Sequence, residues 1–69
     1  MNLQETFRTR RKSLDLSQQD LSEMSGISLA TIKDIERGKA NPSIATISKI
    51  MDVLGMEIAY RVRHTNIEE

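Results

Sequence analysis

Residues 17–38 read SQQDLSEMSGISLATIKDIERG and hold most of the side chains that could do chemistry. On a helical wheel Leu29, Lys33 and Arg37 recur at i, i+4 and i+8 and form one exposed stripe, with Ala30 on the same side. Ile32 and Ile35, with Thr31 nearby, share the other face. Such a stripe offers a partner cationic hydrogen-bond donors and one apolar contact. It is not catalytic equipment. No nucleophile stands beside a base, no glycine-rich loop could cradle a phosphate, and no residues have metal-ligand spacing. Ser17, Ser28 and Ser43 each precede a helical pattern and read as N-caps, not as nucleophiles. His64 is the one histidine and cysteine is absent, so a zinc cluster, a thiolate site and a disulfide are not expected. No cofactor, metal or enzymatic activity is expected.

The elements that position the stripe are short. Ser17 and Asp20 make a capping-box start for a helix whose Leu21 and Met24 are expected to face inward. Gly26 ends that helix as a left-handed C-terminal residue, Ser28 caps the next, and Gly38 terminates it. Two helices joined at a steep angle by so short a corner are a helix-turn-helix, in which the second helix protrudes enough to enter the major groove of duplex DNA. Before this pair, Leu3, Phe7 and Leu14 predict a first helix over residues 2–14. Arg10 falls on its apolar face, at the edge, where a long side chain can snorkel. Asp15 breaks the helix where a left-handed residue fits. After the pair, KANPS is a loop: Pro42 discourages helix at Asn41, and Ser43 caps a fourth helix. There Ile44, Ile47, Ile50, Met51 and Leu54 cover an arc of about 120°, and Gly55 stops it.

Beyond Gly55 the period changes from 3.6 to 2. Met56, Ile58, Tyr60 and Val62 alternate with Glu57, Ala59, Arg61 and Arg63, the pattern of one β-strand with a buried face. A lone strand cannot satisfy its own backbone groups, and the sequence offers no second strand to pair with it. The simplest closed solution is a two-fold dimer in which the strand pairs with its own copy. A frayed helical tail is the alternative. The expected organisation is therefore a domain over residues 1–55, a dimerisation strand over 56–63 with Met56, Ile58, Tyr60 and Val62 on its buried face, and a flexible tail over 64–69.

Sixty-nine residues make one domain. A chain of this size buries only about 60% of its unfolded surface. Without disulfides or metal, it must rely on tight helix packing or on oligomerisation. No apolar run is long enough to span a membrane and no signal-peptide core is present, so a soluble cytoplasmic protein is expected. Ten basic residues balance ten acidic ones. Their distribution is uneven: Arg8, Arg10, Arg11 and Lys12 cluster early, Lys33, Arg37 and Lys39 in the middle, and Arg61 and Arg63 late. A neutral chain can still present a basic face.

The segment LSQQDLSEMSGISLATIKDIERGKANPS resembles the Cro/CI-type (XRE) helix-turn-helix family, and the similarity extends over residues 3–54. It implies an all-α, four-helix, lambda-repressor-like fold and a sequence-specific regulator of transcription, a repressor that binds a double-stranded DNA operator. It further implies that Ser28, Leu29, Ala30 and Lys33 meet base edges. Gln18 would hold a phosphate, with Lys39 and Asn41 on the backbone from the following loop; Arg37 joins this phosphate set. Arg11 and Glu36 match a family pair that bridges the first and third helices. Many relatives present Gln, Arg or Asn where this chain has Leu29 and Ala30, so hydrogen-bond readout falls mainly to Lys33 and Ser28. Asp34, beside the reading face, repels phosphate unless Lys33 or Arg37 neutralises it.

The closing GMEIAYRVR is similar to HipB-type antitoxins, which are small dimers of the same family with a C-terminal strand. That likeness implies a homodimer on a pseudo-palindromic operator, autoregulation of a two-gene module, and a HipA-like kinase toxin as partner. A different class of function is a protein-interaction module that keeps the scaffold but turns Leu29 and Ala30 toward protein. Net neutrality favours that reading; Gln18, Lys33 and Lys39 oppose it.

Overall fold

The structure is a computed structural model, and it describes residues 2–59 and residue 62. Four helices follow one another: α1 (Leu3–Ser13), α2 (Gln18–Ser25), α3 (Leu29–Glu36) and α4 (Ile44–Leu54). Each begins at a polar cap. The Asn2 carboxamide accepts from the Glu5 backbone N–H at 2.9 Å, and Ser28 and Ser43 accept from Thr31 and Thr46 at 3.2 and 3.1 Å. At α2 the capping box is complete: Ser17 Oγ accepts from the Asp20 N–H, and Asp20 Oδ2 accepts from the Ser17 N–H, both at 2.9 Å. These bonds satisfy N–H groups that a helix start otherwise leaves unpaired.

The helix ends are equally local. Asp15 has φ +59 and turns the chain out of α1, while Gly26 and Gly55 close α2 and α4 at φ +77 and +70. An added Cβ at Gly26 would meet nothing within 4 Å, so the corner needs glycine for its backbone angle, not for space. At Gly38, φ +75, a Cβ would stand 2.8 Å from Gln4 Nε2; here α1 lies against the turn that follows α3.

Packing then closes the bundle. α1 rests on α3 and α4, and α2 rests on the same pair. Phe7, Leu21, Ile32, Ile35, Ile50 and Leu54 form the core, with Leu3, Leu16, Ile47, Met51 and Met56 packed against it. Three residues expected inside lie outside. Leu14 is exposed because α1 ends at Ser13 and the reversal at Asp15 brings Leu16 to the core instead. Met24 is 60% exposed. The inner side of α2 is turned toward Ser22 and Ser25, whose hydroxyls have backbone partners at Ile27 and Ser22. Ile44, the first residue of α4, is 59% exposed, so the apolar arc of that helix begins one turn later, at Ile47.

Arg10 does more than snorkel. Its Nε donates to the Leu54 carbonyl at 2.8 Å and so satisfies a carbonyl at the C-terminus of α4, where a cation also suits the helix dipole. Met56 N–H donates back to the Met51 carbonyl at 2.9 Å, which completes the turn out of α4. Met56 and Ile58 are half-buried and Val62 is exposed, but no strand is present among the described residues. A strand formed only between two chains has no partner within one, so its backbone has no ladder to join. Tyr60, Arg61 and residues 63–69 lie outside the described residues.

Candidate nucleic-acid interface

The corner between α2 and α3 determines what the domain can present. Gly26 reverses the chain in a left-handed conformation, Ser22 Oγ donates to the Ile27 carbonyl at 2.6 Å, and Ser28 restarts the helix two residues later. Ile32 and Ile35 anchor α3 in the core. That anchoring leaves Ala30, Lys33 and Arg37 exposed, while Leu29 is only half-exposed. The expected stripe is thus real for Lys33 and Arg37 and partial for Leu29.

Polar partners differ along this face. Ser28 Oγ accepts from the Thr31 N–H and donates to Thr31 Oγ1 at 2.9 Å, so its proton is already engaged and one lone pair remains for an outside donor. Lys33 has no ion pair among the described residues. Arg37 pairs through Nη2 with Asp34 Oδ1. Opposite charges three apart on a helix are the sequence signal for that pair. Of the two cations that could neutralise Asp34, the structure assigns the task to Arg37.

Behind the face sits a polar cluster that joins three elements. Arg11 of α1 donates from Nε and Nη2 to Glu36 Oε2 and Oε1 of α3 at 2.8 and 2.9 Å. Its Nη1 donates to the Leu16 carbonyl at 2.7 Å. The Arg11 and Glu36 side chains are only 9% and 3% exposed. The hydrogen bond to Glu36 raises the Arg11 pKa above its ordinary value, against the opposing effect of desolvation. Gln18, at the start of α2, donates from Nε2 to Glu36 Oε1 at 3.2 Å. It is therefore a half-buried member of the cluster whose second amide hydrogen and carbonyl oxygen have no hydrogen-bond partner among the described residues. Lys39 and Asn41 are exposed in the loop after α3, and the Lys39 backbone N–H is held by the Asp34 carbonyl at 2.8 Å.

The molecule therefore brings Ala30, Lys33 and Arg37 to one outward face, with Ser28 exposed as the N-cap of α3, Gln18 at the head of α2 and Lys39 and Asn41 in the following loop. A carboxylate, Asp34, lies among them. Among the described residues no group of acids and histidines could hold a metal ion, and no helix is long and apolar enough to cross a membrane.

Known proteins resemble this chain in sequence and fold. The immunity repressor protein of Bacillus phage phi105 is 30% identical over 59 residues, covering 86% of this chain and 41% of its own length. An uncharacterized HTH-type transcriptional regulator from Methanothermobacter thermautotrophicus is 37% identical over 51 residues, which is 74% of either chain. A crystal structure of a transcriptional regulator from Vibrio cholerae superposes with a TM-score of 0.76 at 34% identity, over 80% of this chain and 31% of that one. Several of these relatives are longer, and this chain spans 41% to 52% of the length of the phage repressor and of a Haemophilus influenzae regulator. Residues 7–61 match the helix-turn-helix family HTH_3, which is most of the chain, and the protein belongs to that family.

Proposed function

We propose that the protein is a sequence-specific double-stranded DNA-binding regulator of transcription that acts as a repressor by occupying its operator. The observation that carries this reading is the outward face of α3. It is anchored by Ile32 and Ile35 and presents Ala30, Lys33 and Arg37 on the protruding helix of a helix-turn-helix. Lys33 can donate to guanine O6 or N7, Leu29 and Ala30 supply apolar contact such as to a thymine methyl, and Ser28 accepts from a base edge. Gln18, Arg37, Lys39 and Asn41 hold phosphates and set the register. The names of the relatives, an immunity repressor and several HTH-type transcriptional regulators, support the same reading.

The operator is pseudo-palindromic and the active species a homodimer, with one α3 per half-site and half-sites about 34 Å apart. The alternation over residues 56–62 and the small size of the single core support dimerisation through the C-terminal segment. A HipA-like kinase as a further partner rests on the sequence of residues 55–63 alone; co-expression with such a kinase and co-purification would test it.

Selection from a random duplex library tests the main reading. A two-fold symmetric site whose affinity falls steeply with salt, because phosphate contacts release counterions, is the expected result. No enriched sequence at low salt would move the function to protein contact.

A further inference from the structure

At 100° per residue, Ala30 and Arg37 point most directly away from Ile32 and Ile35. Lys33 lies about 50° to one flank of that line and Asp34 about 50° to the other. The face of α3 that would enter a groove is thus bounded by a donor on one side and an acceptor on the other. The Asp34 side chain retains 43% of its exposure while paired with Arg37. One oxygen is occupied by the guanidinium, and the other has no side-chain partner among the described residues.

We propose that Asp34, held in place by Arg37, is a base-reading residue that selects cytosine at one position of each half-site. The inference rests on the reading that α3 enters the major groove. An ionised carboxylate only accepts hydrogen bonds. In the major groove guanine presents O6 and N7 and thymine presents O4, all acceptors, so each would face Asp34 with no proton between them. Adenine offers its N6 amino group, but N7 lies beside it and repels the second carboxylate oxygen. Cytosine offers the N4 amino group with a C5–H, not a ring acceptor, beside it on the same base. The carboxylate therefore ranks the four bases, with cytosine first.

The objection to an acid in this position is phosphate repulsion, and the structure answers it. Arg37 neutralises the charge locally, and the paired carboxylate stays partly exposed. Its remaining donors are still available to a phosphate, since a guanidinium carries five N–H groups. Asp34 and Arg37 then act together: one reads, the other orients it and contacts the backbone. This differs from a charge that only weakens binding, because the loss is confined to the wrong bases.

The test is parallel selection from a random duplex library with the full chain and with Asp34→Asn and Asp34→Ala, each variant checked for unchanged melting. The expected result for the unaltered chain is one position per half-site with cytosine preferred about tenfold over the other bases. Asp34→Asn should move that one preference to adenine, because a carboxamide can donate to N7 while accepting from N6. Asp34→Ala should erase it and leave the other positions unchanged. If both variants bind every sequence more tightly by one common factor, with the profile unaltered, Asp34 only repels phosphate and the inference is overturned. If the unaltered chain enriches no sequence, the regulator reading fails and takes this inference with it; that outcome is distinct from an unaltered profile.

Discussion

Arg11 and Glu36, 25 residues apart in sequence, meet in a two-point ion pair at 2.8 and 2.9 Å that ties α1 to the C-terminal end of α3. Glu36 also holds Gln18. One carboxylate thus connects the first helix, the head of the second and the outward-facing third. The pair is a poor source of net stability, because both charges give up water to form it. Its value lies in orientation, since three helices cannot shift independently while it is intact.

Removing one partner should be costly. Glu36→Ala leaves the Arg11 guanidinium buried without its carboxylate, and a loss of about 3–5 kcal/mol is expected in urea unfolding. In a domain whose whole stability is of the order of 5 kcal/mol, that leaves only about 0–2 kcal/mol. Replacing both residues, Arg11→Met with Glu36→Leu, should recover most of the loss. If the double variant is as unstable as Glu36→Ala, the cost does not come from the unpaired charge.

The capping box at α2 sets a pH dependence. The Ser17 backbone N–H, and then the Ser17 hydroxyl, lower the Asp20 pKa below its ordinary value. A carboxylate whose folded pKa is depressed contributes stability that is fully present above the unfolded pKa, about 3.9, and is lost as pH falls through the lower folded value. The stability gap between the protein and Asp20→Asn should therefore be constant near neutrality. It should begin to close only below about pH 4. Thermal melts followed by circular dichroism across pH 2–7 measure it, and a gap that closes near pH 6 would assign the effect to another group.

Gly26 separates backbone demand from packing demand. Its φ is +77 and there is open space where a Cβ would stand. Gly26→Ala should cost about 1–2 kcal/mol through the left-handed conformation alone. Gly26→Asn should cost less, because asparagine tolerates that region. Equal losses for the two would mean that the corner is limited by space after all.

Lys33 and Lys39 should behave differently on DNA. Lys33→Ala is expected to lose about 1–3 kcal/mol on the preferred site and to relax selectivity at the base it contacts. Lys39→Ala should weaken all sequences to a similar extent and reduce the slope of log affinity against log salt by about 1. Titrations of a preferred and a scrambled duplex at several salt concentrations distinguish the two. A uniform loss for Lys33→Ala would move it from base to phosphate contact.

The sequence by itself determined the parts of this protein that depend on neighbours a few residues apart. Caps at Ser17, Ser28 and Ser43 bond to N–H groups three residues on, and Asp15, Gly26 and Gly55 meet backbone angles that few other residues accept. Those interactions are local, so the four helices, the corner and the outward placement of Lys33 were legible from spacing alone. Tertiary packing decided the rest. Periodicity places Met24 and Ile44 on apolar arcs, but only the angle at which each helix meets its neighbours decides which edge of the arc is covered, and both lie exposed. Likewise the partner of Gln18 is Glu36, 18 residues on, and the partner of Arg10 is a carbonyl 44 residues on. Such pairs are set by which surfaces the core brings together, and no periodicity within a single helix encodes them.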